Sequence, residues 1–215
     1  FKDACRPPLA VGDVVGCERS GKDCLKGLKF VEDNQGLLWV WEFPEKFPGE
    51  KVMYRYLVTV DIGGRSDDSD FSVISVIDRY DMMEGGLPQI VAQWYGHIDH
   101  DLLAWKAAQI AAFYDDALLV IESNTLETKD KNRYVNGDQS SFILNELKEV
   151  YNNLYARKST DTSSVKEGAE VKYGFHTNVK TKGDIISLLI EVVREHLYIE
   201  RDKRCLDEYL TYEEH

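Results

Sequence analysis

YLVTVDIGGRSDDSDFSVISVID, residues 56–78, decides the fold. A β-branched run delivers Asp61 to its end, an acidic, glycine-rich turn follows, and a second β-branched run starts at Phe71. Such runs, bounded by turn residues, read as strands, and Gly63 and Gly64 leave little side-chain bulk beside the carboxylate. Asp61 is therefore expected at the edge of a sheet, where something charged approaches it.

Working outward, the pattern predicts strands over about 54–61, 71–79 and 88–97, with DMMEGGLPQ as a hairpin connection between the last two. A helix is expected over about 99–114, with Asp99 as N-cap and Leu102, Leu103, Ala107, Ile110 and Ala111 recurring at helical spacing. ALLVIE, 117–122, reads as a short buried strand that ends on Glu122. A polar loop, a helix over about 138–155 and a Ser/Thr/Lys-rich stretch at 157–168 come next. KYGFH, 172–176, is a candidate fifth strand. Thr181 with Asp184 resembles a capping box that opens a helix to about 196, carrying Ile185, Leu188, Leu189 and Val192 on one face. LYIE and a helical segment from about 203 close the sequence. Three adjacent strands, then strands alternating with helices, predict an α/β fold with a mixed sheet, its first three strands antiparallel and later ones parallel, flanked by helices.

The N-terminal part reads differently. Residues 1–26, with Pro7, Pro8, Gly12, Gly16 and Gly21, show no sustained period and read as irregular. In GLKFVEDNQGLLWVWEFP, 27–44, two apolar runs flank Asp33 to Gly36 and predict a β-hairpin. The expected division is a linker and hairpin appendage over 1–50 and the main domain over 51–215.

Composition limits what such a domain can do. The 215 residues are 43% hydrophobic, enough for one substantial core, and hold no run long and apolar enough to span a membrane. A net charge of −12 argues against gripping nucleic acid through a broad basic face. It leaves open a site where divalent cations bridge carboxylates and phosphates, because the metal reverses the local sign. Cys5, Cys17, Cys24 and Cys205 lack metal-knuckle spacing and are expected as free thiols. The first residue is not methionine, and no signal-peptide pattern or GxxxxGK[ST] phosphate loop is present, so the sequence reads as a piece of a longer protein.

Asp61 and Glu122 each end an apolar strand, and such ends face the crevice where open α/β sheets bind ligands. One acid in that position ordinarily marks the strand's exit into solvent. Two, from separate strands, make a hard-oxygen site suited to Mg²⁺ or Mn²⁺. Two ions about 3.5–4 Å apart can activate water and stabilise the leaving oxygen in phosphodiester cleavage. Asp70, at the start of the second strand, is held as an auxiliary ligand, whereas Asp67 and Asp68 read as turn residues. His176, after the candidate fifth strand, is the one histidine with a place near the site, although a surface or core histidine is the commoner reading, and the four tryptophans read as core rather than as a base-stacking platform.

Taken together, VDIGGRSDDSDFSVISVID, LLVIESNT and TKGDIISLLIEVVREHLYIERDKRCLDEYLTY resemble the C-terminal nuclease domain of the large terminase subunit of tailed bacteriophages, over roughly 51–215. The resemblance implies a ribonuclease H-like fold and an endonuclease that cuts concatemeric double-stranded viral DNA during packaging, in the cytoplasm of the bacterial host. It implies Asp61 and Glu122 as catalytic metal ligands for Mg²⁺ or Mn²⁺, two ions in all, with Asn124 orienting the site. Its implied partners are an ATPase motor domain, the small terminase subunit and the portal. That family takes a third acid from an HDD-like motif shortly beyond the segment matching CLDEYLTY, a place past His215; otherwise Asp207 or Glu208 stands in.

Two other readings stay open. An actin-like or sugar-kinase ATPase also starts with a strand and a DxGG turn, although the second glycine-rich phosphate turn it needs is absent. A ribonuclease H-like docking module without catalytic activity fits an incomplete ligand set.

Overall fold

The computed structural model describes residues 2–45, 52–63, 70–122, 139–157 and 172–211. At its centre, β4 (Tyr56–Asp61), β5 (Ser72–Asp78) and β6 (Gln89–Gly96) form an antiparallel meander. Side chains alternate along it: Tyr56, Val58, Val60, Ile74 and Val76 are buried on one face, while Leu57, Thr59, Val73 and Ser75 are half-buried on the other. A register shift at Val76/Ile77 accommodates an extra residue on β6.

Helix α1 (His100–Phe113) crosses over and delivers β7 (Leu118–Ile121) beside β4 in parallel, pairing Val60 with Ile121. This crossover explains the parallel strand, since a tight turn cannot connect parallel neighbours. Leu103, Ala104, Ala107, Ala108, Ile110 and Ala111 of α1 are buried in one core cluster with the inner face of the sheet. The alanines let helix and sheet approach closely, and each buried Leu or Ile contributes about 1.5–3 kcal/mol. Asp99 does precede α1, but its side chain makes no capping hydrogen bond. The connection between β5 and β6 holds a 3₁₀ turn, Tyr80–Glu84, closed by Gly85 in the left-handed conformation.

The N-terminal segment corrects the hairpin expectation. β2 (Lys29–Glu32) and β3 (Leu38–Val40) do not pair with each other; β1 (Ala10–Val15) lies between them, antiparallel to both. β3 then pairs with β6, so the seven strands form one continuous sheet in the order β2-β1-β3-β6-β5-β4-β7. The strands before residue 50 extend the main sheet instead of hanging from it. A Cβ on Gly12 would lie 2.1 Å from the Val31 carbonyl oxygen, so the glycine that hid β1 from periodicity is what lets β2 close on it.

At the other edge, α2 (Gln139–Val150) buries Leu144 and Leu147 in the same core. β8 (Ala156–Arg157) and β9 (Lys172–Tyr173) form a small antiparallel pair. Leu154 and Phe175 make parallel bridges to Leu119 and Glu122, so the expected fifth strand is present as a short ladder and a bridge.

Helix α3 (Val179–Arg194) starts three residues earlier than Thr181 would have it. Asn178 is the N-cap, and Thr181 is its capping-box partner. The apolar face of α3 does not cover the sheet: Ile185, Leu188 and Leu189 are exposed.

Helix α4 (Lys203–Thr211) instead covers part of the sheet's outer face. The Arg204 guanidinium lies 3.7 Å from the Trp39 ring centroid and 5.0 Å from that of Tyr95, held by a two-pronged bond to the buried Asp202. The cysteines are free thiols, as expected. No helix among the described residues is long and apolar enough to cross a membrane.

Candidate metal centre

The parallel pairing of β4 with β7 brings Asp61 and Glu122 together. Val60 sits opposite Ile121, so the next residues, the two acids, leave neighbouring strands at the same end of the sheet. The Glu122 amide donates to the Val60 carbonyl at 3.2 Å, which carries the pairing one step beyond the strand. The Phe175 bridge to Glu122 puts His176 at this sheet end too.

Just after Asp61, Gly63 packs closely against the residues that lead into β5. A Cβ on Gly63 would lie 2.2 Å from the Asp70 carbonyl oxygen and 2.4 Å from the Phe71 backbone, so only glycine permits this approach. The Gly63 amide donates to Ser72 Oγ at 3.0 Å, and His100 Nε2 lies 3.0 Å from the Gly63 carbonyl oxygen. The exit of β4 and the entry of β5 are thus fixed beside each other and beside the first turn of α1.

Crowding by protein, the negative charge of Glu122 and a hydrogen bond shared with Glu122 raise the Asp61 carboxyl from 3.8 to about 6, with a smaller push from Asp70. The residue itself keeps contact with solvent, so the pairing of two carboxylates supports this direction better than burial does. Two carboxyls that share a proton are suited to exchange it for a divalent cation, and an all-oxygen pair selects hard ions.

Asp70 is near enough for its charge to act on Asp61. Asp207, named from sequence as a possible ligand, turns to Lys203 at 3.8 Å, while its neighbour Glu208 faces the sheet, where Tyr95 donates to it at 3.5 Å. No three His, Cys, Asp or Glu among the described residues gather closely enough to hold a metal ion. The geometry therefore provides a two-carboxylate pair without a third ligand from these residues. Asp67, Asp68, Asn124 and His215 lie outside the described residues.

The raised Asp61 value sets the sign of a stability test. A folded-state carboxyl raised above its unfolded value favours the fold fully below about 3.8, and that contribution is lost as pH rises through about 6. Solvent screening of an exposed carboxylate holds that contribution to about 1 kcal/mol. Asp61→Asn is accordingly expected to raise the melting temperature in EDTA by about 2–4 °C at pH 8 and to leave it unchanged at pH 4. A variant less stable than the parent at pH 8 would contradict the repulsion.

No protein-family profile and no curated protein sequence matches the chain. Among solved structures, it is similar to the large terminase nuclease from thermophilic phage G20c with bound zinc, at 17% identity and a TM-score of 0.51, covering 84% of this chain and 80% of that one. It is also similar to the same nuclease with bound magnesium, at 15% identity and a TM-score of 0.51, covering 82% of this chain and 70% of that one. At such identities the likeness is one of architecture: the chain has the ribonuclease H-like fold of a phage large-terminase nuclease domain.

Proposed function

We propose that this chain is the metal-dependent endonuclease domain of a phage DNA-packaging terminase. The observation that carries the proposal is the meeting of Asp61 and Glu122 at one end of adjacent parallel strands, in a fold shared with a terminase nuclease. Asp61 and Glu122 would hold the cations, Mg²⁺ or Mn²⁺ and two in number, with Asp70 contributing charge from the entry of β5. When bound, the cations supply Lewis-acid stabilisation of phosphate charge and make water more acidic. The chain's own part is positioning. The β4–β7 pairing fixes the spacing of the acids, and Gly63, Ser72 and His100 hold the exit of β4 beside the entry of β5 and the start of α1.

The substrate in this reading is concatemeric double-stranded viral DNA, cut in the bacterial host cytoplasm. The net charge of −12 fits a domain that relies on partners for DNA engagement: an ATPase motor domain, the small terminase subunit and the portal. The test is conversion of supercoiled plasmid to nicked and linear forms. Cleavage is expected in Mn²⁺ or Mg²⁺ and none in EDTA. Nucleotide-dependent stabilisation without DNA cleavage would instead support the ATPase reading.

A further inference from the structure

The two edges of the sheet are finished differently. Beyond β7, Leu154 and Phe175 bridge to Leu119 and Glu122, so that edge carries further backbone pairing. The opposite edge is β2, and among the described residues no strand lies beyond it.

The ladder to β1 fixes which backbone groups of β2 face the open side. The Asp33 amide donates to the Val11 carbonyl at 3.0 Å, and bonded pairs recur at every second residue of an antiparallel ladder. Val31 opposite Asp13 and Lys29 opposite Val15 are therefore the bonded pairs. Phe30 and Glu32 turn their N–H and C=O groups outward, and no other described residue bonds them. Such an edge is a template for another strand.

The side chains decide which strand it accepts. Lys29, Val31 and Asp33 project to one face of β2, and all three are exposed, Val31 at 41%. Phe30 projects to the other face, where its ring packs on Phe43. Because only Phe30 and Glu32 present bonding groups, the registers open to an antiparallel copy of β2 are few. With Phe30 opposite Phe30, Lys29 meets Val31 and its charge finds no partner. With Glu32 opposite Glu32, like charges meet directly. With Phe30 opposite Glu32, Val31 faces Val31 on a two-fold axis, and each Lys29 meets the Asp33 of the other copy. Backbone bonding, apolar contact and charge all agree in that last register alone.

We propose that β2 pairs antiparallel with β2 of a second copy of this chain, joining the two sheets across a two-fold axis at Val31. The same patch serves both copies, so the assembly closes as a dimer. The strands β1, β3, β6 and β5 separate β2 from β4, which leaves Asp61 and Glu122 uncovered in the dimer. The inference stands apart from the nuclease reading.

Disulfide trapping tests the register directly. Opposed residues of a non-bonded antiparallel pair lie about 4.5 Å apart at Cα, within the reach of a disulfide. In a Cys17→Ser background, which removes the exposed native thiol, Val31→Cys is expected to give a covalent dimer on mild oxidation. Glu32→Cys, offset diagonally from its own copy and so beyond that reach, is expected to stay monomeric. By sedimentation velocity the parent is expected to dimerise as its concentration rises. Val31→Lys sets like charges face to face on the axis and is expected to weaken that dimer at least tenfold, with the melting temperature as folding control. A parent that remains monomeric up to millimolar concentration, Glu32→Cys trapped as readily as Val31→Cys, or a folded Val31→Lys that dimerises as the parent does would overturn the proposal. Should Val31→Lys fail to fold, the trapping pair decides alone.

Discussion

Glu122→Gln and Asp61→Asn are each expected to slow Mn²⁺-dependent plasmid cleavage by about three orders of magnitude while leaving a folded protein. Each amide is nearly isosteric with the acid it replaces, and both residues sit at strand ends, outside the buried core cluster. What changes is charge and donor strength. A bound cation supplies several kcal/mol of transition-state stabilisation, and each ~1.4 kcal/mol is a factor of ten in rate. With two carboxylates paired at the ends of β4 and β7 and Asp70 adding only charge, losing either acid removes one of the two direct ligands. The measurement is the single-turnover rate at saturating Mn²⁺, with melting temperature as the folding control. Retention of more than a tenth of the parent rate by both variants would show that the ions are held elsewhere.

Asp78→Ala is expected to produce the largest loss of stability, at the opposite end of the same strands. Arg55 and Asp78 are 8% and 4% exposed and joined at 2.6 Å, with further bonds from Arg55 Nε to both Asp78 oxygens. Asp78 also accepts from the Tyr80 amide, and Arg55 packs over the Tyr56 and Tyr80 rings. The pair ties the start of β4 to the end of β5. Removing the acid strands a buried guanidinium whose other carboxylate partner, Glu45, is largely in solvent. Breaking such a pair costs about 3–5 kcal/mol, or a fall of roughly 10 °C in melting temperature for a chain of this size. The double change Arg55→Met with Asp78→Leu should recover most of that loss, because neither charge is then buried alone. A single variant that melts within 2 °C of the parent would refute the argument.

The meander, the crossover helix and β7 were legible in sequence because each has one buried face. Period-two burial from Tyr56 to Val60 and helical spacing from Leu103 to Ala111 write that face into the residue order. The pairing of Asp61 with Glu122 was legible for a related reason: both end apolar runs whose parallel register follows from the intervening helix. β1 was not legible. Its glycine, required by the close approach of β2, erases the alternation that would have announced a strand. Nor could the pattern place the apolar face of α3, since amphipathicity marks a face that can pack without saying where. The stacking of Phe71 on Tyr95 and His97 was not legible either. Phe71, Tyr95 and His97 are distant in sequence, and only the β5–β6 register brings them together. An aromatic opening a strand, two residues ahead of the partner of Asp61, was the signal available.

In the proposed reading a divalent cation binds at Asp61 and Glu122. Paramagnetic broadening of the ¹H–¹⁵N spectrum by substoichiometric Mn²⁺ tests it without reference to activity. The expected result is broadening centred on the amides of Asp61 to Gly63, Phe71 and Glu122, abolished in Glu122→Gln. Broadening spread over the acidic surface, or centred elsewhere and unaffected by that substitution, would contradict the account.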